Sequence, residues 1–309
     1  MKRTKYPIHP DFKKYANLNP PLNKAALPAM QRLMGLLFTR ERSTADMAVE
    51  QKVIPVDGGT IRALWYCPKG VGEHTPCLVY YHGGGFVLPA APYHYSLARE
   101  YARRANCKVL FVDYRLAPKF PFPVAPEDCY AAYCWAIENS AELSIDPGRI
   151  AVAGDSAGGQ LATVVCLMAK ELGQTLPCGQ MLMYPAAGNV ETESVRKYTD
   201  TPMCNSRDME KYGKLYRPDP SVGRNEYASP IEAESLAGLP AAYIETAEFD
   251  CLRDGGILYA ERLREFGVSV ELHNTEGTIH GFDIVLDSPI VRGCVDWRIE
   301  FLKSVLADS

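Results

Sequence analysis

The sequence has no excess of basic residues: 33 Lys and Arg stand against 37 Asp and Glu, a net charge of −4. A nucleic-acid partner is therefore not expected, and the lack of a basic amphipathic run removes a membrane surface as partner. No apolar run approaches the ~20 residues that a transmembrane helix needs. Repeats and low-complexity linkers are missing as well. The ten cysteines include no Cys-x-x-Cys, and no Cys/His cluster has ligand spacing, so no metal is expected. After the basic Met1-Lys2-Arg3-Thr4-Lys5, residues 6–14 carry two prolines, Asp11 and two lysines where the apolar core of an export signal would stand. Cys77, Cys107 and Cys166 lie inside apolar runs, where a reduced thiol acts as a small hydrophobe. These features point to a reducing, cytoplasmic setting.

What is present is an ordinary globular composition, 47% hydrophobic and 23% charged over 309 residues. Met30, Leu33, Met34 and Leu37 fall at helical spacing behind Pro28 and form one apolar face. Two strand-like runs follow, residues 47–55 and 61–66, with Asp57-Gly58-Gly59 as a hairpin turn. From Pro76 onward strands and helices alternate. Strand-like runs occur at residues 77–81, 109–112, 150–153, 181–184, 241–244 and 268–272, with helical patterns at 95–105, 126–139, 159–172 and 256–266. The alternation predicts a mostly parallel sheet covered by helices on both faces. A polar stretch from Gly188 to Tyr227, with a short helical pattern at Met209, Tyr212 and Tyr216, breaks the rhythm. A long insertion between buried strands usually serves as a lid or binding loop. With residues 1–45 it is expected to cap one end of the sheet.

Gly154-Asp155-Ser156-Ala157-Gly158 matches G-x-S-x-G, a pattern that chance places in roughly one chain in ten of this length. Context makes it specific, because it sits between a strand run and a helix, where a sharp turn lifts a serine hydroxyl clear of the sheet. Serine needs a base. Of the six histidines, His280 lies just past the last strand run, at the carboxyl edge where open α/β sheets place their sites. The base needs a carboxylate. Asp250 follows the run at 241–244 and gives the order Ser156, Asp250, His280, while Glu248, Asp254 and Asp283 remain rival acids. His82-Gly83-Gly84-Gly85-Phe86 follows the strand at 77–81, and its glycines let backbone N–H groups converge on one point. Acyl transfer needs such donors, each worth ~3–4 kcal/mol, and Gly84, Gly85 and Ala157 are the candidates. No G-x-G-x-x-G follows a strand, which disfavours phosphate binding, and His82 reads as structural.

These residues resemble the hormone-sensitive-lipase-like branch of the α/β-hydrolases, a family of serine esterases. The resemblance runs from about Val79 to Phe282. It rests on the glycine loop, Asp113-Tyr114-Arg115-Leu116-Ala117-Pro118, Pro121-Phe122-Pro123, the serine motif, Asp250-Cys251-Leu252-Arg253-Asp254 and His280-Gly281-Phe282. It implies Ser156 as nucleophile, Asp250 as acid in preference to Asp254, and His280 as base. It also implies an α/β-hydrolase domain over residues 46–309 with a mostly parallel eight-stranded sheet. The helical cap would be built from residues 1–45 and an insertion at about 188–227. Two departures stand out: Cys251 occupies the position after the aspartate where the family usually has proline, and Pro89 a position where glycine is common. The expected activity is cofactor-free hydrolysis of short-to-medium acyl esters, with a small-molecule ester as partner and a homodimer as the family's common state. An amidase or formamidase on the same triad is the alternative. A plant-type hormone receptor of the same fold would lack the histidine base, which is present here as His280.

Overall fold

The computed structural model describes residues 5–19, 26–38 and 40–307. Its centre is one eight-stranded sheet of β1 (Met47–Val56), β2 (Gly59–Pro68), β3 (Thr75–Tyr81), β4 (Lys108–Asp113), β5 (Ile145–Asp155), β6 (Gln180–Met183), β7 (Ala242–Phe249) and β8 (Val270–Ile279). The strand order is β1-β2-β4-β3-β5-β6-β7-β8. The Asp57-Gly58 turn closes β1 and β2 into a hairpin with Val56 opposite Gly59. β2 runs antiparallel to β1 and β4, and every other pairing is parallel.

The central strands read as unbroken apolar runs because both faces are covered. Their side chains divide with period two. Cys77, Val79, Tyr81, Val152 and Ile244 enter one core, and Leu78, Tyr80, Ala151, Ala153 and Tyr243 enter the other. Helix Ala157–Glu171 is buried along nearly its whole length against β5 and β6, which explains its small residues Gly158, Gly159, Ala162 and Ala169.

Every strand run of the sequence lies on a strand, with edges displaced. Tyr184, Ala241 and Val268 fall just outside, while β5, β7 and β8 extend beyond their apolar runs into residues that carry the site's loops. Helix Pro289–Val305 was not expected. Its signals are the Ser288 cap, Pro289 in the first turn, and Val291, Cys294, Val295, Ile299 and Leu302 at helical spacing.

Helix Leu27–Phe38 forms, but its apolar face differs from expectation. Leu33 is 69% and Leu36 53% exposed, while Leu27 and Phe38 are buried and Met30 and Met34 half-buried. The side chain of Leu37 and residues 1–4, 20–25 and 39 lie outside the described residues. The helix is held at its ends and by Gln31, whose amide donates to the carbonyls of Val87 and Ala117 at 2.8 and 2.9 Å. These bonds are polar, so the hydrophobic spacing could not report them. The insertion after β6 contains helices Glu193–Lys197, Ser206–Tyr216 and Asn225–Ala228.

Candidate active site

β5 delivers Ser156 to the carboxyl edge of the sheet. The serine has φ 53° and ψ −117°, a conformation disfavoured for any residue with a Cβ and typical of a strained strand-to-helix turn. The chain can turn so sharply because its neighbours are small: a Cβ on Gly158 would collide with the Tyr81 carbonyl. The Ser156 amide donates to the Met183 carbonyl at 2.9 Å, and the Ser156 carbonyl accepts from Ala186 at 3.0 Å. Both faces of the turn are thereby fixed to the neighbouring strand end.

Three chain segments meet at the serine. His280, the residue after β8, places Nε2 at 2.8 Å from Ser156 Oγ. Its Nδ1 lies 2.7 Å from Oδ2 of Asp250, the residue after β7. Asp250 is fully buried, and its other oxygen accepts the Leu252 N–H at 2.9 Å. Burial would lower the basicity of His280, but the charge and hydrogen bond of Asp250, assisted by Asp155, outweigh it and leave the imidazole pKa raised. The Tyr184 ring stands edge-on to the imidazole, 5.1 Å between centroids.

The rival acids serve elsewhere. Glu248 accepts from the Gly277 amide at 2.7 Å. Asp254 accepts from the Ser194 amide at 2.7 Å and from Arg253 at 2.8 Å, tying the insertion to the start of helix Arg253–Glu265. Asp283 belongs to a fully buried cluster with Arg298, Glu245 and Tyr184. That cluster joins the turn after His280 to the C-terminal helix and to β7.

The glycine loop after β3 lies beside the serine turn. Gly84 has φ +125°, which a side chain would not tolerate, and its carbonyl accepts from Val87 and Leu88 at 3.1 and 2.8 Å. Its peptide is therefore turned so that the N–H faces away from the loop's own hydrogen bonds. Among the described residues, no hydrogen bond occupies the N–H groups of Gly84, Gly85 or Ala157. His82 is buried, stacks on Tyr114 at 4.5 Å, and donates from Nδ1 to the Gly83 carbonyl at 2.6 Å. Burial and the neighbouring His94 push its pKa down to about 4, so the ring is neutral.

Sequence reasoning passed over Asp155. Its buried carboxylate accepts from Tyr80 and the Gly83 amide, both at 2.9 Å, and meets His94 Nε2 at 3.1 Å. Burial alone would raise this carboxyl, but His94 and the three hydrogen bonds hold it down at about 2. Asp155, the residue preceding the serine, thus ties the serine turn to the glycine loop. The signal was a carboxylate at the carboxyl end of an otherwise apolar strand, which must be paired if buried.

Residues 78–284 match a family model described as the α/β-hydrolase fold. The chain belongs to the hormone-sensitive-lipase-like family of α/β-hydrolases. Within that family it is 39% identical over 245 residues to the carboxylesterase NlhH of Mycobacterium tuberculosis, covering 77% of this chain and 76% of the relative. Among solved α/β-hydrolases it is similar to a bacterial heroin esterase, with TM-score 0.87 and 32% identity over 97% of this chain and 98% of that one. A Pyrobaculum calidifontis esterase gives TM-score 0.86 and 36% identity over 97% and 100% of the two chains.

Proposed function

We propose that this α/β-hydrolase cleaves carboxylic esters of short-to-medium acyl length, with Ser156 as nucleophile, His280 as base and Asp250 as acid. The observation that carries this reading is the unbroken chain from Asp250 through His280 to Ser156, with links of 2.7 and 2.8 Å. His280 takes the proton as Ser156 Oγ attacks the ester carbonyl. Asp250 holds Nδ1–H and stabilises the imidazolium. The N–H groups of Gly84, Gly85 and Ala157 donate to the developing oxyanion, and His280 then protonates the departing alcohol. Water, activated by the same base, releases the acid from the acyl-enzyme. Relatives named carboxylesterase and esterase support esters over amides as the substrate class.

Residues 188–227 and the described part of residues 1–45 form the cap in this reading. Its support is contact: the Met203 amide donates to the Leu18 carbonyl at 2.7 Å, and Tyr6 donates to Asp200 at 2.5 Å. All ten cysteines are free thiols, which fits a cytoplasmic setting.

Ser156→Ala tests the core of the proposal. It removes one hydroxyl and leaves the packing in place, so the thermal melt should stay within a few degrees of the parent while hydrolysis of p-nitrophenyl acetate falls by at least about 10³-fold. Retention of more than a few per cent of turnover would remove Ser156 as nucleophile.

A further inference from the structure

Cys251 stands directly after Asp250, and the proposed mechanism gives it no task. Its Sγ lies 3.7 Å from Sγ of Cys204, which comes from the insertion 47 residues earlier in the chain. Two sulfurs bound to one tetrahedral cation at ~2.3 Å each would stand about 3.8 Å apart, whereas a disulfide needs about 2.05 Å. The two thiols, in S–H···S contact, already stand at the spacing that a chelating pair needs. A third donor completes it: a carboxylate oxygen of Asp250 and both sulfurs all lie within 4.8 Å of one another. The three groups are buried, with exposures of 5% for Cys204, 1% for Cys251 and 0% for Asp250. Two of them are cysteine sulfurs, which once deprotonated favour thiophilic cations such as zinc or cadmium over magnesium or calcium.

We propose that Cys204, Cys251 and Asp250 form a binding site for one thiophilic divalent cation, and that its occupancy shuts down the triad. The balance is simple. Two S–H bonds break, two metal–sulfur bonds form, and two protons pass to solvent; nothing is oxidised. A dipositive ion replaces two protons, so the net charge of the buried trio is unchanged and no additional buried charge has to be desolvated. The positions are fixed by packing. The Cys204 carbonyl accepts from Thr201 Oγ1 at 2.7 Å, and the Cys251 carbonyl accepts from Ser194 Oγ at 2.9 Å. Once bound, the cation draws on the carboxylate that His280 Nδ1–H needs. Metal binding at the joint between insertion and acid turn is thereby coupled to turnover. The inhibitory half rests on Asp250 being the acid of the proposed mechanism; the binding half does not.

The test uses the full chain and cadmium chloride. One equivalent should give a thiolate-to-cadmium charge-transfer absorbance and a ¹¹³Cd resonance in the range of two sulfur ligands. kcat for p-nitrophenyl acetate should fall at least about tenfold with KM within about twofold, and a chelator should restore it. Magnesium should do nothing. Cys204→Ser should keep basal turnover and lose both the resonance and the inhibition, and Cys251→Ala serves the same purpose if the first variant folds poorly. A resonance without two thiolates, or unchanged inhibition in either variant, overturns the site. A loaded enzyme that turns over at full rate, while Asp250→Asn is inactive, overturns the inhibition alone. If Asp250→Asn is itself fully active, the assignment of the acid fails and the binding site stands.

Discussion

The floor and the roof of the site are built from different interactions. The floor consists of the serine turn, the glycine loop and the loops after β7 and β8. It is held by hydrogen bonds to buried charged groups: Asp250 on His280, Asp155 on Gly83 and His94, Arg298 on Asp283 and Glu245. The roof consists of the insertion and the described N-terminal residues, and beside polar ties such as Gln31 and Ser194 it rests on aromatic faces. Phe86 and Tyr216 stack at 3.8 Å, Tyr6 meets Tyr198 edge-on at 5.6 Å, and the Tyr212 ring covers Gly85. Breaking a buried ion pair costs ~3–5 kcal/mol, whereas an aromatic pair contributes ~0.5–1.5 kcal/mol beyond its burial. The floor therefore tolerates almost no change in geometry, and the roof can be re-lined without dismantling the reaction.

The largest expected effect lies in the floor and separates two aspartates four residues apart. Asp250→Asn should reduce kcat about 10⁴-fold, because an amide leaves His280 in the wrong tautomer. Asp254→Asn breaks only the ties to Ser194 and Arg253 and should cost less than about tenfold. Steady-state kinetics of the two variants decide the matter. Comparable losses would mean that the tie between insertion and acid turn matters as much as the acid itself.

This division also explains what could be read from the sequence. Floor residues occur in short contiguous motifs, because a strand end, a tight turn and a helix start impose local demands for glycine and a polar residue at fixed spacing. Ser156, His280 and the glycine loop were visible for that reason. Asp250 was only one of four acids until the resemblance to a family ranked it, since loop carboxylates carry no periodicity. Asp155 and Arg298 were invisible as partners: Asp155 meets His94 at 61 residues' separation and Arg298 meets Glu245 at 53. The roof was legible as an interruption, but not in its lining. Of the bulky residues it offers, Phe38 packs edge-on against Tyr95 beneath an Arg62 guanidinium, and Tyr198 packs with Tyr6 and Phe249. Tyr212 and Met203 reach Gly85 and Gly281 instead. Helical spacing cannot distinguish these fates.

A smaller effect sharpens the electrostatics of the floor. In the proposed mechanism His280 acts as base only when neutral, and Asp250 raises its pKa against the opposing effect of burial. The acid limb of kcat/KM should therefore lie above the ordinary imidazole value of about 6.5, with activity falling as pH drops through it. In Asp250→Asn only the smaller influence of Asp155 opposes burial, so the residual activity should show its limb at lower pH. A pH profile from 5 to 9 on both proteins checks the sign. An unmoved limb would mean that another group titrates.

The smallest effect belongs to the roof and concerns acyl length. Tyr212 projects from helix Ser206–Tyr216 onto the glycine loop; a Cβ on Gly85 would stand 2.5 Å from its Cδ1. The ring is 8% exposed and packs in the same core as Phe86 and Val87. It therefore occupies volume immediately above the N–H groups assigned to the oxyanion, and an acyl chain leaving that point would meet it within a few carbons. Each methylene that cannot be accommodated forgoes ~0.8 kcal/mol of burial, about a fourfold factor in kcat/KM. Tyr212→Ala opens that volume without touching Ser156, Asp250 or His280. The ratio of kcat/KM for p-nitrophenyl octanoate over butyrate should rise by about fifteenfold, the equivalent of two newly buried methylenes, while the acetate rate changes less than about threefold. Met209, half-buried between the two cores, is flexible enough to refill part of the space, which would soften the gain but not reverse it. A ratio that stays flat, with acetate turnover intact, would show that the chain-length limit is set by the floor, and the separation between rigid chemistry and adaptable lining would fail at the point where the two surfaces meet.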